Sequence, residues 1–114
     1  MKNNVLVCIT VYHYLIISLI LFFIGLIGFV ISRNFIKILI SLEFILNSIN
    51  ILFISFATYR ANSNYLGYTL VIFTTAISAL ILAIGLYMTY QIYKKFGTID
   101  IVKVYDKYKD VNEC

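Results

Sequence analysis

The stretch FIKILISLEFILNSINILFISFAT, Phe35 to Thr58, carries one carboxylate, Glu43, and two carboxamides, Asn47 and Asn50, in an otherwise oily run. Residues four and seven apart fall on one face of a helix, so helical folding stacks these three groups in a single polar stripe. A carboxyl group with amides beside it can exchange a proton, hold water or bond a neighbouring group. Ser41 stands just before Glu43 in the chain, and Lys37 and Arg33 precede both.

The element that must position the stripe is a membrane helix. At about 1.5 Å per residue it is roughly 36 Å long, against roughly 30 Å of hydrocarbon, and Glu43 lies about 15 Å along it from Arg33. A charge at that depth costs a few kcal/mol or more, and such residues face protein or a wet cavity. Three roles fit a carboxylate buried in this way: a proton or ion relay, a permanently neutral group that hydrogen-bonds a neighbouring helix, or a substrate-binding acid. In the relay reading Glu43 carries the proton, Ser41, Asn47 and Asn50 support it, and Lys37 and Arg33 set the local field at the nearer membrane surface.

Composition excludes most other classes. With 114 residues, 62% hydrophobic and 12% charged, the chain is expected to be one all-α transmembrane domain, residues 1–114, in the lipid bilayer. The net charge of +4 is spread along the ends of the apolar runs, so no basic patch for nucleic acid forms. Cys8 and Cys114 sit at opposite ends and His13 is the single histidine, which gives no disulfide framework and no metal-ligand spacing; His13 reads as an interfacial hydrogen-bonder. Glycine-rich phosphate loops, a Ser/His/Asp set and paired histidines are absent, so no nucleotide site or redox centre is expected in this chain. Abundant Ile, Asn, Lys, Tyr and Phe with no Trp or Pro is compatible with the A+T-rich coding of many organelle genomes.

Three membrane helices are expected, over about residues 12–31, 35–58 and 69–93, with a polar tail over 94–114. The first apolar stretch is too long for a signal peptide and lacks a small-residue cleavage site. Tyr12, His13 and Tyr14 mark an interface, and Gly25, Gly28 and Ser32 offer a thin surface for a neighbouring helix. The turn Ser32 to Asn34 is so short that the first two helices must be antiparallel neighbours. A polar loop over Tyr59 to Gly67 precedes the third helix, where Thr74 and Ser78 share a face and no carboxylate is available. The tail, with Ile99, Ile101 and Tyr105 spaced as in a strand, reads as a strand-like arm or a frayed surface segment.

These residues resemble the smallest hydrophobic core subunit of respiratory complex I, called chain 4L in mitochondria and subunit K in bacteria. The resemblance runs over about residues 12 to 100. It is carried by Gly25, Gly28, Arg33 and Asn34; by Ser41, Glu43, Asn47 and Asn50; by Ala83, Ile84, Gly85 and Leu86; and by Gly97 and Thr98. It implies a non-redox subunit of a proton-pumping NADH:quinone oxidoreductase, with Glu43 in the proton path. It also implies neighbours of the chain 6 type and the antiporter-like chain 2 type, no cofactor in this chain, and FMN, iron-sulfur clusters and quinone elsewhere in the complex. The implied location is the mitochondrial inner membrane, with the bacterial plasma membrane as the alternative. One departure stands out: the family usually carries a second intramembrane Glu on the third helix, where Ile81 stands here. The rival resemblance is to the small subunit of Mrp-type multisubunit cation/proton antiporters, and a purely structural membrane linker is the third reading.

Basic residues favour the negative inner side of a membrane. Arg33, Lys37, Lys94 and Lys95 therefore place the first turn and the tail in the matrix or cytoplasm, and the loop with Arg60 opposite. Single cysteines at Ser32 and Asn62 are expected to react with impermeant reagents from opposite sides, Ser32 from the inner one. Labelling of Asn62 from the inner side would contradict this topology.

Overall fold

Backbone groups in hydrocarbon find no water, so a membrane-spanning chain must satisfy them within helices. The computed structural model does so in four: α1 (Lys2–Ile31), α2 (Phe35–Tyr59), α3 (Tyr65–Phe96) and α4 (Ile101–Glu113). It describes residues 2–59 and 65–113. The first three helices are each long and apolar enough to cross a membrane. Arg60 and Asn62, expected in the outer loop, lie outside the described residues.

The helices overrun the expected spans because nothing in the sequence breaks them at the edge of the hydrocarbon. There is no proline, and Lys94 and Lys95 are good helix formers, so α3 continues through them to Phe96. At its other end α3 takes in Tyr65 to Gly67, which the loop was expected to hold, and α1 begins at Lys2 rather than at the interfacial Tyr12. The tail differs more. It is neither strand-like nor frayed: Ile101, Val104, Tyr105, Tyr108 and Val111 recur at three- and four-residue intervals, and this helical period prevails in α4.

Two turns at the same end of the molecule are joined to each other. Asn34 caps α2, its Oδ1 accepting from the Ile36 N–H at 3.0 Å, and Asp100 caps α4 by accepting from the Val102 N–H at 3.0 Å. Asn34 and Asp100 form an antiparallel bridge, in which Phe35 N–H donates to Ile99 and Ile101 N–H donates to Arg33. Gly97 makes the reversal possible: its φ of 72° lies in the left-handed region that ends helices at low steric cost. Lys107 of α4 donates to the last carbonyl of α3, that of Phe96, at 2.6 Å.

α2 is the middle helix, with α1 along one side and α3 along the other. The α1 contact is made by the two glycines that the sequence marks. A Cβ on Gly25 would lie 2.7 Å from Ile45 Cγ1 and 2.9 Å from the Ser41 carbonyl oxygen, and one on Gly28 would lie 2.6 Å from Ser41 Oγ. On the α3 side Gly85 receives Leu39 and Gly67 receives Ala57. The interior is correspondingly small and polar: Ser18, Ser41, Ser48, Asn50, Ser55, Ser78 and Thr89 are buried, whereas Val11 is the one large apolar side chain buried among the described residues.

Leucine at Gly25 or Gly28 cannot fit without separating α1 from α2, a strain of about 1–3 kcal/mol in a packed core. Either variant is expected to lower the yield of intact assembly on native gels. Gly28→Ala should be milder than Gly25→Ala, because the Ser41 hydroxyl can rotate away and the Ser41 carbonyl cannot. Full assembly with unchanged detergent stability in Gly25→Leu would contradict the contact.

Candidate functional site

Glu43 lies on the side of α2 that meets α3. Its Oε2 accepts a hydrogen bond of 2.6 Å from the Ser78 hydroxyl. Its Oε1 is 3.4 Å from the Asn47 amide nitrogen, one turn along α2. The depth expected for Glu43 along the helix is retained, but burial by this chain is not: the side chain is half-buried, and Asn47 is exposed. The three-helix unit therefore covers one flank of the carboxyl group and leaves the other open.

The polar stripe divides in two. Asn50, only 7% exposed, turns into the α2/α3 interface, where its Oδ1 accepts from Thr74 at 2.7 Å and its amide donates to Thr75 at 3.4 Å. Asn47 remains at the open edge with Glu43. Seven residues, about 10 Å of helix, separate Glu43 from Asn50, and both find hydroxyl partners on α3. One polar seam thus runs down this interface toward Thr58, whose hydroxyl lies 3.4 Å from that of Tyr68.

The other expected supporting residues lie away from the carboxyl group. Ser41 faces α1, packed on Gly28 and donating to the Lys37 carbonyl at 2.8 Å; its two-residue spacing from Glu43 puts it on a different side of the helix. Lys37 and Arg33 expose their side chains at the capped end of α2, and the Arg33 carbonyl serves the turn-to-turn bridge. His13 bonds its own helix at the Ile9 carbonyl. Ile81 is 44% exposed on α3, one turn beyond Ser78. A cavity of about 400 Å³ between α1 and α2, lined by Tyr12, Leu15, Phe22 and Ser48 among others, contains none of the Glu43 contacts.

The pairing of Glu43 with Ser78 is the feature that reading one helix at a time does not give. Its trace in the sequence is the pair Thr74 and Ser78, four apart on an otherwise apolar helix; which α2 group each meets depends on the register between helices.

The chain matches the family model described as NADH-ubiquinone/plastoquinone oxidoreductase chain 4L over residues 13–106. It is 36% identical over 99 residues to the NADH-quinone oxidoreductase subunit K of Flavobacterium psychrophilum, which covers 87% of this chain and 92% of that protein. It is 42% identical over 89 residues to the chloroplastic NAD(P)H-quinone oxidoreductase subunit 4L of Arabidopsis thaliana, covering 78% and 88%. With the subunit K of Bdellovibrio bacteriovorus the identity is 36% over 89 residues, 78% of this chain and 81% of that protein. The match takes in most of α1, all of α2 and α3, and the turn between α3 and α4; the first eleven residues of α1 and the end of α4 lie beyond it.

Proposed function

This chain belongs to the chain 4L, or subunit K, family of complex I, and from that premise we propose that it is a membrane-arm subunit of a proton-pumping NADH:quinone oxidoreductase in which Glu43 is a proton relay. The observation that carries the reading is the environment of Glu43: a carboxyl group deep in a spanning helix, bonded by Ser78 on one flank and open on the other beside Asn47. A permanently neutral strut would gain most by being enclosed within its own subunit. A group half-covered by its own chain is instead placed to exchange a proton with water or a titratable group on the adjoining subunit.

On this reading NADH oxidation and quinone reduction occur in other subunits. We assign FMN, the iron-sulfur clusters and the quinone site to those partners. The neighbours are subunits of the chain 6 type and the antiporter-like chain 2 type, one of which completes the open flank of Glu43. Relatives named for a quinone oxidoreductase, bacterial and chloroplastic, favour the redox complex over a cation/proton antiporter. The A+T-rich residue bias favours the mitochondrial inner membrane.

Glu43→Gln keeps the size and hydrogen-bonding capacity of the side chain but cannot titrate. The complex is expected to assemble and to lose coupled quinone-reductase turnover and pumping by about 100-fold, the scale of a lost proton-transfer group; Glu43→Asp should retain part of both. Normal rate and stoichiometry of pumping in a fully assembled Glu43→Gln complex would reduce Glu43 to a hydrogen-bonding residue.

A further inference from the structure

Hydroxyls on helices commonly donate to the carbonyl three or four residues back, which leaves nothing unpaired in hydrocarbon. In α2 and α3 this is the rule from Ser41 to Thr89, and Thr74 follows it while also reaching Asn50. Ser78 is the exception. Its hydrogen bond crosses the interface to Glu43, although the side chain is only 4% exposed.

We propose that Ser78 is a positioning residue for Glu43, a two-way hydrogen-bond partner that serves both protonation states of the carboxyl group without movement of either helix. A hydroxyl offers one donor and two acceptor sites. Facing the carboxylate, Ser78 donates, as in the structure. When Glu43 takes up a proton, the acid O–H donates to Ser78 Oγ and the serine proton turns to the carbonyl of Thr74, four residues back, the kind of acceptor its neighbours already use. Glu43 gains one proton, Ser78 keeps its own, and only two O–H bonds rotate. Asn47, the other polar group at the carboxyl, can turn either its amide nitrogen or its oxygen toward Glu43 but sits at the open edge, so Ser78 supplies the constant contact on the protein side. The proposal rests on reading Glu43 as a group that exchanges its proton.

The test is infrared difference spectroscopy of the assembled complex combined with pumping measurements. The carboxyl stretch of protonated Glu43 is identified by its loss in Glu43→Gln. In Ser78→Ala this band is expected to move to higher frequency as the hydrogen bond is lost, and coupled turnover to fall about tenfold, the scale of one hydrogen bond to a charged group. Ser78→Thr, which keeps the hydroxyl, should restore both; Ser78→Cys, a weak donor of similar size, provides the same comparison if the alanine variant assembles poorly. An unmoved band, or a moved band with turnover within about twofold of wild type, would overturn the proposal. Failure of the relay reading looks different: Glu43→Gln then pumps normally while the Ser78→Ala band shift persists.

Discussion

Within hydrocarbon, burying an apolar side chain against a helix gains little over leaving it against lipid, so close approach and satisfied polar groups must hold the helices together. The rest of this structure follows from that constraint. Ile, Leu, Phe and Tyr side chains cover the outside, and the interfaces are lined by serine, threonine, asparagine and glycine. Even the contact between Ser18 and Ser48 joins a hydroxyl of α1 to a backbone carbonyl of α2, at 2.6 Å.

α2 bears most of the consequences because it is the middle helix. Its two buried sides are built differently. Toward α1, Gly25 and Gly28 bring the backbones close and Ser41 fills the gap; toward α3, beside the packing at Gly85 and Gly67, side-chain hydrogen bonds cross the interface, donated by Ser78 to Glu43, by Thr74 to Asn50 and by Asn50 to Thr75. The caps at Asn34 and Asp100, joined by the bridge between their turns, fix where α2 begins and hence how deep Glu43 sits.

Much of this was legible in the sequence because the signals are local. Length and hydropathy defined three spans, a three-residue turn made the first two antiparallel, and two missing side chains at Gly25 and Gly28 marked a contact surface. The polar stripe was legible as a stripe, but its division, with Asn50 inside and Asn47 at the edge, depends on the angle at which α3 crosses α2. Ser41 is expected to support Glu43, but a two-residue spacing on a helix places the two on different sides. The tail folds as a helix although Ile99 and Ile101 alternate like a strand, because the three- and four-residue period that decides its fold begins only after the Asp100 cap.

The open flank of Glu43 and Asn47 is where the account is most exposed to test. A density map of the assembled complex at side-chain resolution would show what lies against it. The account predicts a polar side chain of a neighbouring subunit or an ordered water within hydrogen-bonding distance of the Glu43 carboxyl group, with Ser78 still bonded on the opposite side. Acyl chains packed directly on Glu43 and Asn47, with no polar partner there, would contradict it.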